Sequence, residues 1–135
     1  WCHEALYLTL NHPKLVHILR RISDSFMDAK REKITIETPL SVEHLMPQEW
    51  RAHWPLADGS PGVSVDDLAT AHVDNWRATQ SKNRDALVHT IGNLTLLTQP
   101  LNSAVSNASW STKRGAIPHS LLPMNQEFAE VMVWD

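Results

Sequence analysis

Two stretches of this sequence hold side chains that could do chemistry together. The first is "SVEHLMPQEW", residues 41–50, where Glu43 and His44 stand side by side. The second is "IGNLTLLTQPLN", residues 91–102, with Asn93 and Asn102 nine positions apart. A histidine with its ordinary pKa near 6.5 can take a proton from water at neutral pH. A carboxylate beside it can hold a hard divalent cation, and the oxygen of an asparagine amide is a neutral ligand of the same kind. One base, one carboxylate and one amide around a single ion are the requirements for hydrolysing a phosphodiester, with the ion neutralising the scissile phosphate and the leaving oxygen.

The flanking sequence must supply the elements that bring these groups together. "KITIETPLSVEHLM" is rich in β-branched residues around Pro39 and predicts an extended segment, a turn and a strand ending near His44. Neighbouring strand residues point to opposite faces, so only a strand end or a bulge lets Glu43 and His44 approach one pocket. "NLTLLT" alternates and predicts a second strand, and Pro100 opens a helix, "PLNSAVSN", that carries Asn102 in its first turn. A further helical turn is expected through "SWSTKRGAI". Strand, strand and helix would then converge on Glu43, His44 and Asn102.

Elsewhere the periodicity is helical. A short helix is expected over residues 3–10. A longer one runs from the Asn11 cap and Pro13 through "NHPKLVHILRRISDSFMDAKREK", with Leu15, Ile18, Leu19, Ile22 and Phe26 as its buried stripe. "PLADGSPG", residues 55–62, is a loop by composition. A helix is expected to start at Ser64 and run through "VDDLATAHVDNWRATQ", and a separate short one over "RDALVHTIG" to stop at Gly92. The fold class is therefore α+β and mostly helical, a ββα unit embedded in helices.

The 135 residues suffice for one domain with a core, and 42% apolar content argues against disorder. No run of eighteen apolar residues exists to span a membrane. The N-terminus has neither the cationic region nor the cleavage site of a signal peptide. Cys2 is the single cysteine, which excludes an internal disulfide and a multi-cysteine zinc site and makes a cytoplasmic setting the default. The chain opens at "WC" and stops at the apolar "VMVWD", which reads as a piece of a longer protein. Net charge is −3, yet Arg77, Lys82, Arg84, Lys113 and Arg114 face only Asp85 between residues 76 and 117, a local +4. A basic face on an acidic body is compatible with phosphate contact, and scattered solvated charges would give the same count.

The blocks "VEHLMPQ" and "GNLTLLTQPLN" resemble the HNH, or His-Me finger, nuclease motif. The fuller string, on to "NSAVSNASWSTKR", is similar to the C-terminal nuclease domain of GmrSD-type modification-dependent restriction endonucleases. The resemblance covers residues 34–134 and breaks only at an insertion of about fifty residues between the strands.

It implies a nuclease domain over 34–135, with a helical insertion at about 50–90 and an N-terminal helical segment, 1–33, packed on it. It implies His44 as general base, Glu43 and Asn102 as ligands of one Mg²⁺ or Mn²⁺, and Asn93 as the residue holding the loop that carries the histidine. The resemblance also puts Lys113 against phosphate, and the local positive charge adds Arg114 beside it, with Arg77, Lys82 and Arg84 flanking the cleft. The implied partners are DNA, including modified DNA, and a ParB-like NTPase and sensor region N-terminal in the same chain or in a partner chain. A catalytically inactive nucleic-acid-binding scaffold and a ribonuclease or toxin are the competing readings. His53, His72 and His89 are expected to be structural, with His89 close enough to the site for a secondary role. Trp50 and Trp54 are candidates for stacking on a flipped base, against a core role.

Overall fold

A computed structural model describes residues 2–27, 35–64, 66–67 and 74–135. Its centre is a two-stranded antiparallel sheet of β1 (Leu40–His44) and β2 (Leu94–Thr98). The register pairs Leu40 with Thr98 and His44 with Leu94, so the chemistry-bearing end of β1 lies at the start of β2. Leu94, Thr95, Leu96 and Leu97 are all buried. The alternation in "NLTLLT" is therefore not a wet face and a dry one, because helices cover both sides of the strand. Buried Thr95 meets that constraint by bonding the amide of Asn125, which also donates to the Leu96 carbonyl (2.8 Å) and to Ser120 Oγ (2.7 Å).

One face of the sheet packs on α1 (Leu6–Thr9) and α2 (His12–Ser25). Asn11 caps α2, accepting from the Lys14 amide at 3.1 Å, and Pro13 sits in its first turn as the sequence predicts. Leu15 and Leu19 are buried against Leu40, Leu94 and Leu96. The expected stripe ends early: Ser23 holds the third buried position of α2 and Phe26 is exposed. The expected continuation of this helix to residue 33 lies outside the described residues from 28 onward.

On the other side, α5 (Gln99–Val105) and α6 (Trp110–Ala116) follow β2, and Val105 and Ile117 join Leu45 and Leu97 in a second cluster. The short helix α7 (Pro123–Gln126) closes the first cluster through Leu122 and Met124. The insertion between the strands has its own core. Trp50, the first residue of α3 (Trp50–His53), is fully buried with Met46, Trp54, Leu56 and Val88. Its indole donates to Asp85 at 3.1 Å, and Arg51 bonds the same carboxylate, which ties α3 to α4 (Asn75–Leu87). The guanidinium of Arg84 lies 5.1 Å from the Trp50 ring centre. Trp50 and Trp54 are thus core residues, not free platforms for a base.

Helix α4 departs from the expected pair of helices. Asp74 caps it, accepting from the Trp76 amide at 2.7 Å, and it runs unbroken to Leu87 where a break was expected. Residues 81–84 contain no glycine or proline, and Ser81 and Arg84 are buried on one face, so nothing stops it there. Ser64 does begin a turn: its hydroxyl accepts from the Asp67 amide (3.1 Å) while the Asp67 carboxylate takes the Ser64 amide (3.2 Å). The expected helix beyond it, with His72, falls on residues 68–73, outside the described residues. Among the described residues, no helix is long and apolar enough to cross a membrane.

Candidate active site

Strand β1 ends at His44, and the chain turns immediately after it. Leu45 N–H donates to the Asn93 carbonyl at 2.9 Å. The Asn93 side chain then clamps the turn from the other side. Its Oδ1 accepts from Met46 N (2.8 Å) and Trp134 Nε1 (3.0 Å), and its Nδ2 donates to the carbonyls of Met46 (2.8 Å) and Val88 (2.9 Å). Both acceptor lone pairs and both N–H groups of this buried amide are thereby used. Asn93 has no capacity left for a ligand; it fixes the segment that follows His44.

At the strand end, Glu43 and His44 both reach one polar cavity of about 320 Å³, lined also by Pro47, Gln48, Glu49, Ser106 and Asn107. The two side chains keep different company behind it. Glu43 is paired with Lys113, whose ammonium lies 2.5 Å from Oε1 and 2.6 Å from the His44 carbonyl oxygen. Burial pushes the Glu43 carboxyl up from its ordinary range, and the lysine opposes that shift. Burial likewise pushes Lys113 down, with Glu43 opposing.

His44 faces an aromatic group. Tyr7 meets its ring edge-on at a centroid distance of 4.3 Å, and His44 Nε2 is 3.3 Å from His89 Nδ1. Burial, with the nearby His89 and Lys113, pushes His44 down to about 4. Its ring is neutral at pH 7, and among the described residues Nδ1 has no hydrogen-bond partner.

Several expected residues stand elsewhere. Asn102 lies in α5 as expected, but its Nδ2 donates to Ser41 Oγ (2.8 Å) and to the Val42 carbonyl (3.4 Å), and it does not line the cavity. The asparagine that shares the cavity with Glu43 is Asn107, beside the amide of Gln48. It arrives there through Ser106, a non-glycine residue at φ 24° just past the end of α5.

Lys113, expected on the surface against phosphate, is fully buried as the counter-ion of Glu43, with its ammonium held by that carboxylate and by the His44 carbonyl. Arg84, expected to flank the cleft, is also buried, donating to Asp135 and to the Trp54 and Pro55 carbonyls. Arg77 is half-buried and donates to the Pro61 carbonyl, and Arg114 leans on Met132. Lys82 is exposed. The +4 stretch is therefore a much thinner basic face than its residue count implies.

Asn107, Glu49 and Tyr7 carried no signal of their own in the sequence. Gln48 lies inside the quoted "VEHLMPQ" block, and Asn107 is one more asparagine in a turn.

Among the described residues, no three histidine, cysteine, aspartate or glutamate side chains group closely enough to hold a metal ion. The residues that line the cavity nevertheless include side chains with hard oxygens, on Glu43, Gln48, Glu49 and Asn107, beside the imidazole of His44. That set suits Mg²⁺ or Mn²⁺ bound through few protein ligands, with water and phosphate completing the shell.

No curated protein and no solved structure matches the chain. A family model described as the C-terminal domain of GmrSD restriction endonucleases matches residues 1–135. With its antiparallel strand pair, the helix that follows it and the Glu43–His44 strand end, the chain belongs to the family of GmrSD restriction endonuclease C-terminal domains.

Proposed function

We propose that this restriction endonuclease module is a metal-dependent DNA nuclease of the His-Me finger type, acting as the cleavage part of a modification-dependent restriction or phage-defence protein. The observation that carries the proposal is the strand end. Glu43 and His44 reach one polar cavity, and His44 is neutral with Nδ1 unbonded by the described residues. In this reading a water molecule at Nδ1 gives up a proton to the imidazole as its oxygen bonds to phosphorus. The bond to the leaving oxygen breaks, and that oxygen takes a proton from solvent.

Lys113 holds the carbonyl of His44 and the carboxylate of Glu43, so base and ligand are fixed relative to each other. Asn93 fixes the turn behind them. Glu43 and Asn107 are the oxygen donors that would hold Mg²⁺ or Mn²⁺. When bound, such an ion neutralises the phosphate and the leaving oxygen. Asn102 pins α5 to β1. Arg77, Lys82 and Arg114 remain for the backbone of DNA, and an NTPase and sensor region of the same or a partner chain would supply recognition of modified DNA.

The test is cleavage of supercoiled plasmid and of a single-stranded RNA by the purified chain with Mg²⁺, with and without excess EDTA. Nicking of plasmid that EDTA abolishes supports the proposal. Cleavage that survives EDTA rejects the metal, and cleavage of RNA alone rejects DNA as substrate.

A further inference from the structure

Beyond the base itself, the contact between His44 and His89 selects which nitrogen of His44 can act. His44 Nε2 and His89 Nδ1 are 3.3 Å apart, with the rings nearly perpendicular at 83°. Only one of the two nitrogens can carry the proton they share. If His89 Nδ1 carried it, His44 would accept at Nε2 and present an N–H from Nδ1, and it could not act as a base. If His44 Nε2 carries it, Nδ1 keeps its lone pair, and both rings hold their protons on Nε2, the form that a neutral histidine side chain prefers in water.

We propose that His89 is a positioning residue that accepts the Nε2–H of His44 at its own Nδ1 and so holds His44 in the tautomer whose free Nδ1 takes the proton of water. The proposal rests on the nuclease reading of His44 for its consequence, but the tautomer is observable without any cleavage.

Three contacts hold His89 to this task. Its ring stacks with Tyr7 at 5.6 Å and 12°. Its carbonyl accepts from Tyr7 N–H at 3.2 Å. The neighbouring Val88 carbonyl is held by Asn93. Tyr7 also packs edge-on against His44, so α1 spans both rings and the N-terminal segment completes the site. When His44 Nδ1 takes a proton, its Nε2–H becomes a charge-assisted donor and the bond to His89 strengthens. The contact therefore stabilises the transition state more than the resting enzyme.

The test uses three variants and two readouts. His89→Leu removes the acceptor, His89→Asn keeps an amide oxygen near the place of Nδ1, and His89→Gln carries its amide one bond further out. Long-range ¹H–¹⁵N correlation spectra of the metal-free protein at pH 7.5 should show His44 protonated at Nε2 in the parent and in His89→Asn, and a mixture of tautomers in His89→Leu. In plasmid nicking, His89→Leu should lose about 10²-fold in kcat, the lower end of what a general base contributes, with KM within about twofold. His89→Asn should recover most of that loss and His89→Gln little of it.

A parent His44 protonated at Nδ1, or a tautomer unchanged in His89→Leu, overturns the proposal whether or not the protein cuts. Equal loss in all three variants with an unchanged His44 tautomer reduces His89 to a packing residue and also overturns it. Failure of the parent to cut, with the expected tautomers present, counts against the nuclease reading alone.

Discussion

Replacing Asn93 should unfold the site rather than merely slow it. The Asn93 amide satisfies Met46 N–H, Met46 C=O, Val88 C=O and the Trp134 indole, all at 2.8–3.0 Å. Asn93 is 5% exposed, so in a variant the three main-chain groups would lose their partner away from bulk water. The half-buried indole of Trp134 can turn toward solvent. An orphaned buried polar group costs roughly 1–3 kcal/mol. Asn93→Ala opens a polar hole that one water can enter and bridge, so its loss should be about 3 kcal/mol. Asn93→Leu fills the same space with carbon and keeps water out, so its loss should be larger, about 5 kcal/mol. Either is a large share of the roughly 5–15 kcal/mol that holds a domain together.

Urea unfolding followed by tryptophan fluorescence reads this directly, with Trp134 itself a reporter of the contact. A loss below about 1 kcal/mol for Asn93→Ala would refute the reasoning, because that is the net value of a single ordinary hydrogen bond. So would a leucine variant no worse than the alanine one, since the order of the two distinguishes lost hydrogen bonding from lost volume.

Lys113→Met should cost about 3–5 kcal/mol at pH 7, the usual price of stranding one member of a buried ion pair, and the loss should shrink in acid as Glu43 takes up a proton. Equal stability of Lys113→Met and parent in a pH 7 melt would contradict the pairing. Asn107→Ala should abolish most metal-dependent cleavage with little change in melting temperature. Asn102→Ala should lose about 1 kcal/mol through its bond to Ser41, and the opposite pattern in the two assays would reverse their roles. The burial of His44 also makes stability depend on pH. Its folded pKa of about 4 lies below the ordinary value near 6.5, so the unfolded chain binds more protons between the two. The contribution of His44 is therefore complete above pH 6.5 and is lost as pH falls toward 4, by up to about 3 kcal/mol relative to His44→Gln. A parent-to-variant difference that stays flat over that window would show that the ring is not held neutral by burial.

The parts of this fold that depend on local chemistry could be read from the sequence. Pro100 and Asn11 set helix starts, and the β-branched run before His44 and "NLTLLT" set the strand pair and its chemistry-bearing end. What could not be read were choices made at long range. Lys113 looks like one more cation in an amphipathic turn, and only the fold reveals that its partner lies seventy positions away on β1. The unbroken α4 is held by Trp50 and Arg51 through Asp85, thirty-five and thirty-four positions away, where residue periodicity alone suggested two pieces. The placement of Asn107 at the cavity depends on the unusual backbone of Ser106, which no residue type announces. Tyr7 became a site residue only because α1 folds back over the strand end, whereas His89 stands against His44 where the sequence already put it close to the site.

The most direct measurement is the rate at which His44→Ala nicks supercoiled plasmid in Mg²⁺, set beside the parent, with melting curves showing that both are folded. If His44 is the base, the variant should lose about 10²–10⁴-fold in rate, the range that a positioned general base contributes. A folded His44→Ala protein that nicks as fast as the parent would contradict the account, because the cavity shared by Glu43 and His44 would then not be where the phosphodiester is cut.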